Sequence, residues 1–189
     1  LMQRIWTVST ILSFSRIALV VPVAYCLVSE FPNNRLWAAG LFLLGVATDF
    51  LDGYLARRLH QVTDFGKIID PLADKIAVAG VALVLFLLGS LPLWYLAFVL
   101  LRDALIFAGG VYIRSKKNIV VQSNMPGKVA VNLVALVLIL SFLQADSLET
   151  FRHVVLWASV VMMIVSFALY VQRLFIGRNA VNLQNYGNS

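Results

Sequence analysis

Six apolar runs, at residues 11–28, 36–55, 71–89, 91–113, 128–144 and 154–175, constrain this chain more than any other feature. Each is close to the ~20 residues with which a helix rising ~1.5 Å per residue crosses ~30 Å of hydrocarbon. Turn-forming and polar stretches separate them: "SEFPNNR" after the first, "GSLP" between the third and fourth, "RSKKNIVVQSNMPG" before the fifth and "QADSLETFRH" before the sixth. The chain is 61% hydrophobic and 13% charged, far from the roughly half and quarter of a soluble domain. The sequence therefore predicts an all-α integral membrane protein with six transmembrane helices. It reads as a single membrane domain over 1–189, with a short interfacial segment at 1–10 and a polar tail at 177–189. Arg16 inside the first run, with no A-x-A-like cleavage site after it, marks that run as a span rather than a removable signal. Cys26 is the single cysteine, which excludes both a disulfide framework and a cysteine metal site.

Charge orients the bundle. With six spans both termini share a side, and that side carries Arg4, Arg57, Arg58, Lys67, Lys75, Arg114, Lys116, Lys117, Lys128, Arg173 and Arg178. The other side has Arg35 and Arg152, while Arg16 and Arg102 fall within spans. The basic side, with both termini, is predicted to be cytoplasmic. A net charge of +6 then needs no nucleic-acid partner, because a basic inner face against anionic headgroups accounts for it.

The acids are the anomaly. Glu30, Asp146 and Glu149 lie on the outer side, but Asp49, Asp52, Asp64, Asp70 and Asp74 crowd into "DFLDGYLARRLHQVTDFGKIIDPLADK" at 49–75. Asp49 falls ~20 Å along the second span, a costly depth for an anion. Asp49, Asp52, Gly53 and Ala56 follow i, i+3, i+4, i+7 spacing, so one helical stripe carries two carboxylates and then two minimal side chains. Asp70 and Asp74, at i and i+4, share a face of the third span. The short link makes the two helices antiparallel neighbours, so the four carboxylates can converge. Four such anions repel strongly unless cations neutralise them, and oxygen-only ligands favour hard divalent ions such as Mg²⁺ or Mn²⁺, with room for two.

The pattern Asp49-x2-Asp52-Gly53-x2-Ala56-Arg57-x8-Gly66-x3-Asp70-x3-Asp74 resembles, without departure, the signature of the class I CDP-alcohol phosphatidyltransferase family. Within that family the likeness is to phosphatidylglycerophosphate synthases and single-domain cardiolipin synthases. "STILSFSRI" at 9–17 is similar to their N-terminal "N-x-L-T-x-x-R-I", keeping Arg16, and "DPLADK" at 70–75 and "LRDALI" at 101–106 resemble both groups. "PGKVAVNLV" at 126–134 departs from their "G-K-x-x-T-x-x-Q", with Val131 and Val134 in place of Thr and Gln.

The resemblance implies a six-helix homodimer with its site open to the cytoplasm, in a bacterial inner membrane. It implies that Asp49, Asp52, Asp70 and Asp74 bind two divalent ions and that Asp74 is also the general base on the acceptor hydroxyl. It implies further that Gly53 and Ala56 leave room for cytidine, that Arg57 contacts the diphosphate, and that Thr63 and Gly66 belong to the same CDP-diacylglycerol site. For Gly53 and Ala56 the alternative is close helix packing; for Arg57 it is the positive-inside bias. Lys128, Arg114, Lys116 and Arg102 are candidates for the acceptor. Arg102 and Asp103 lie near the middle of the fourth span, where neighbours about 100° apart are not expected to satisfy each other, so an active-site role and a structural pairing both stay open. Asp64 reads as a solvated loop acid, and Trp37, Trp94, Tyr95 and Trp157 as lipid-facing or interfacial anchors.

The function implied is transfer of the phosphatidyl group of CDP-diacylglycerol to an alcohol, with release of CMP. The preferred acceptor is sn-glycerol 3-phosphate; phosphatidylglycerol, giving cardiolipin, or an inositol phosphate are alternatives. A divalent-cation transporter is the reading from another class, but the acids gather at one interface instead of lining a route across. A non-catalytic membrane scaffold leaves the cost of the aspartates unexplained.

Overall fold

Continuous apolar sequence in a protein of this composition leaves backbone polar groups only one local solution, and the chain takes it six times. The computed structural model describes residues 8–59, 66–117 and 125–186, with side chains over 13–48, 72–111 and 125–172. The helices are α1 (Val8–Val28), α2 (Asn34–Leu59), α3 (Gly66–Leu87), α4 (Leu93–Lys117), α5 (Met125–Leu143) and α6 (Glu149–Tyr186), with a 3₁₀ turn at Asp146–Leu148 before α6. There is no strand among the described residues. Among the described residues three stretches, Leu93–Val111, Met125–Leu143 and Asp146–Gln172, are long and apolar enough to cross a membrane. The protein is thus a helical membrane protein.

Helices overrun the apolar runs wherever the backbone ladder can continue. Gly66, expected in a link, is the first residue of α3, and α4 carries its helix through Lys117. Arg114, Lys116 and Lys117 therefore occupy its last turns, where cations suit the helix dipole. α6 has 38 residues and continues through Tyr186, into the segment expected as a polar tail.

The contacts divide the chain into two compact units, 1–96 with 138–148, and 97–137 with 149–189. In the first unit, one set of connections lies at a common end. Asn34 Nδ2 donates to the Ser29 carbonyl at 2.6 Å, and Arg35 Nη1 donates to the Phe142 carbonyl at 3.4 Å. Gln144 Nε2 donates to Ser90 Oγ. The start of α2 thus meets the end of α5, and Gln144 beyond α5 meets Ser90 beyond α3, so these helix ends gather at one end of the unit. Gly89 ends α3 at φ 71°, and the Ser90 N–H reaches back to the Leu85 carbonyl at 2.9 Å, a glycine-dependent helix stop. Phe42 and Phe142 pack ring to ring at 5.5 Å. Trp37, Trp94 and Trp157 are exposed as expected of anchors, but Tyr95 is not one of them: at 0% exposure it is a core residue with Trp94 edge-on against it. A tyrosine at the inner side of a helix start is a packing residue whatever its type suggests.

In the second unit α4 and α6 run parallel. Arg102 meets Ser166, and the Tyr170 hydroxyl donates to the Ile106 carbonyl at 3.1 Å. Gly109 permits this approach, because a Cβ there would fall 2.9 Å from the Tyr170 hydroxyl.

Candidate functional site

The motif is distributed over two helices. Asp49, Asp52, Gly53, Ala56 and Arg57 lie on one unbroken α2, and Gly66, Asp70 and Asp74 on α3. Measured from the common end, Asp49 and Asp52 stand ~22 and ~27 Å along α2, and Asp74 and Asp70 ~20 and ~26 Å back along α3, at ~1.5 Å per residue. The four positions therefore share one level of the first unit. Of these four, the side chain of Asp74 is described; those of Asp49, Asp52 and Asp70, like those of Ala56 and Arg57, fall outside the described side chains, and Thr63 and Asp64 lie outside the described residues.

Asp74 is held by α1. Its Oδ1 lies 2.6 Å from Arg16 Nη1, with the Asp74 side chain 36% exposed and that of Arg16 6%. Arg16 Nη2 also donates to Ser13 Oγ at 3.1 Å, and Ser13 is buried one turn earlier on the same helix. α1 can come this close because α3 is slim beyond the site: a Cβ on Gly80 would stand 3.0 Å from the Val20 side chain. Arg16 had been placed within a span without a partner. The signal was present, since an arginine in an apolar run needs an anion, but nothing in the spacing named Asp74.

The acceptor candidates lie in the second unit. Lys128 is exposed in the first turn of α5, where the N–H groups have no intrahelical acceptor. Arg114 and Lys116 are on α4, with side chains outside the described set. Arg102 corrects the expectation drawn from helical angles. Its Nη1 donates to Asp103 Oδ1 at 2.7 Å and its Nη2 to Ser166 Oγ at 3.3 Å. Sequence neighbours do pair here, because the long guanidinium arm folds back around the helix to a short carboxylate. Among the described residues no three His, Cys, Asp or Glu side chains are grouped as a metal site; the description excludes the side chains of Asp49, Asp52 and Asp70.

The signature aspartates thus fall on two helices, α2 and α3, of a helical membrane protein. The CDP-alcohol phosphatidyltransferase family pattern matches residues 6–165, and the chain belongs to that family. It is 30% identical over 148 residues to the CDP-diacylglycerol--glycerol-3-phosphate 3-phosphatidyltransferase of Mycoplasma pneumoniae, covering 71% of this chain and 65% of the relative. It is 37% identical over 98 residues to the protein of the same name in Bacillus subtilis, covering 52% and 50%. A cardiolipin synthase (CMP-forming) of Oryza sativa subsp. japonica is 41% identical over 86 residues, 43% of this chain and 25% of the relative. The chain thus spans less than two thirds of the length of each of these relatives.

Proposed function

We propose that this protein transfers the phosphatidyl group of CDP-diacylglycerol to sn-glycerol 3-phosphate, giving phosphatidylglycerophosphate and CMP. The observation that supports the reading is the family signature, carried on α2 and α3, beside relatives named for this reaction. The chain works as a six-span homodimer, with both termini and the site on the cytoplasmic side of a bacterial inner membrane. The exposed wall of apolar side chains and the excess of Lys and Arg on the terminal side support that arrangement.

The donor set suits two divalent ions, Mg²⁺ or Mn²⁺. Four aspartates lie on α2 and α3, and the one whose side chain is described, Asp74, is partly exposed, as a ligand reachable from outside must be. Asp49, Asp52, Asp70 and Asp74 would hold the ions, which when bound supply positive charge to the diphosphate and the departing phosphate. The chain's own residues do the rest. Gly53 and Ala56 leave room for the cytidine ring, with Thr63 and Gly66 beside it, and Arg57 binds the diphosphate through its guanidinium fork. Asp74 accepts the proton of the acceptor hydroxyl as that oxygen attacks the lipid-side phosphorus. The bond from phosphorus to the bridging diphosphate oxygen breaks, and CMP leaves with the electron pair. Lys128, Arg114 and Lys116 attract the dianionic phosphate of the acceptor, with Arg102 a further candidate there.

The test is CMP release from CDP-diacylglycerol in the presence of Mg²⁺ or Mn²⁺, with chromatography of the lipid product across glycerol 3-phosphate, phosphatidylglycerol and inositol phosphate. Phosphatidylglycerophosphate is the expected product. Cardiolipin from phosphatidylglycerol, with no product from glycerol 3-phosphate, selects the second reading, favoured by the cardiolipin synthase relative. Absence of CMP release with every acceptor returns the acidic cluster to a divalent-cation transporter.

A further inference from the structure

Among the described side chains of the first unit Arg16 is the least exposed charged one, and it points its charge at the carboxylate on which the proposed chemistry turns. It sits ~18 Å from the common end along α1, close to the level of the four aspartates. Ser13 Oγ, itself fully buried, accepts from the second Nη and so restricts how the guanidinium can rotate. An ion pair that served only to keep α1 against α3 would do so equally well with both groups enclosed. Here the arginine is enclosed and the aspartate is not: Asp74 is presented outward while its other side is gripped.

We propose that Arg16 is a positioning residue for Asp74 and the built-in counter-cation of the aspartate cluster. It holds the Asp74 carboxylate in one orientation before ions and substrates arrive. The inference rests on the role given to Asp74 above. Two effects of opposite sign follow from one contact. The guanidinium repels an incoming divalent ion and competes with it for Asp74, so it weakens ion binding. It also fixes the carboxylate that takes the acceptor's proton, so it raises turnover. A merely structural arginine would shift both in the same direction, together with stability.

The experiment compares the full chain with Arg16→Gln, Arg16→Lys and Ser13→Ala in lipid nanodiscs. Three quantities are read: the unfolding midpoint, the Mn²⁺ dissociation constant by electron paramagnetic resonance without substrates, and the kinetics of CMP release at saturating Mn²⁺. Arg16→Gln is expected to bind Mn²⁺ about tenfold more tightly. Its kcat falls about 100-fold, with the KM for CDP-diacylglycerol within about threefold of the parent. Arg16→Lys, which keeps the charge but not the fork, retains the parent's Mn²⁺ affinity and recovers part of the lost kcat. Ser13→Ala keeps the Mn²⁺ affinity and loses kcat by about threefold. Unchanged Mn²⁺ affinity and kcat in Arg16→Gln overturn the proposal, as does weaker Mn²⁺ binding that tracks a lower midpoint. Should Arg16→Gln fail to fold, parental kcat in both Arg16→Lys and Ser13→Ala overturns it. If the parent itself releases no CMP, the proposed reaction falls, while tighter Mn²⁺ binding by Arg16→Gln still upholds the counter-cation.

Discussion

Among the described side chains each unit buries one arginine in an apolar helix, and the two solve the same electrostatic problem differently. Arg16 in α1 pairs with Asp74 on a different helix, far along the chain. Arg102 in α4 pairs with its own neighbour Asp103 and reaches α6 only through the Ser166 hydroxyl. Either arrangement lowers the cost of a charge in hydrocarbon. The difference lies in what else the carboxylate is for. Asp103 is outside the aspartate signature, so its pair has stability as its evident work. Asp74 is within it, so under the proposed function the same interaction belongs to the reacting centre.

Four substitutions probe that contrast. Asp70→Asn should cause the largest change, a loss of CMP release of about 1,000-fold or more with the unfolding midpoint preserved, since one ligand charge is removed without opening a cavity. Activity within a few-fold at saturating Mg²⁺ would remove Asp70 from the ion site. Asp74→Asn should lower kcat by about 100-fold or more while leaving the KM for CDP-diacylglycerol nearly unchanged, as expected where proton transfer from the acceptor is its main task and the other three aspartates keep the ions. A parallel loss of donor binding would make Asp74 chiefly a ligand.

In the other unit, Arg102→Met should act on stability, by about 2–3 kcal/mol, because it removes the ion pair to Asp103. Arg102→Met/Asp103→Leu should recover most of that in thermal unfolding, and a tenfold rise in acceptor KM at an unchanged midpoint would instead put Arg102 at the acceptor. The smallest effect is expected at Lys128. Lys128→Gln should raise the KM for glycerol 3-phosphate by about five- to tenfold with little change for CDP-diacylglycerol, and equal changes in both would make the lysine a general surface charge.

The existence and order of the helices were legible because hydropathy reports directly on what lipid will accept. Their ends were less so. α4 runs on through Lys117 and α6 through Tyr186, because a helix already propagating loses nothing by continuing into water while its hydrogen bonds persist. The aspartate stripe on α2 and the Asp70–Asp74 pair were readable from spacing alone, since they are local. The Arg16–Asp74 contact was not, because it depends on how α1 lies against α3, and no periodicity encodes that. Tyr95 misled for a related reason: residue type suggested an interfacial anchor, whereas the helix face on which it falls decided its burial. The Arg102–Asp103 pair was missed because angular spacing describes Cβ directions and neglects the reach of a long side chain.

The length of α6 has a consequence for the protein's seat in the bilayer. Its 38 residues rise ~57 Å, nearly twice the ~30 Å of hydrocarbon. Even with an ordinary tilt, on the order of 20 Å of this rod must stand in the headgroup layer or beyond it. Arg173 and Arg178 ride on the same continuous backbone as Ser166 and Tyr170. α6 is in effect a plumb line. The hydrogen bonds it makes to Arg102 and to the Ile106 carbonyl tie the depth of the rod to that of α4.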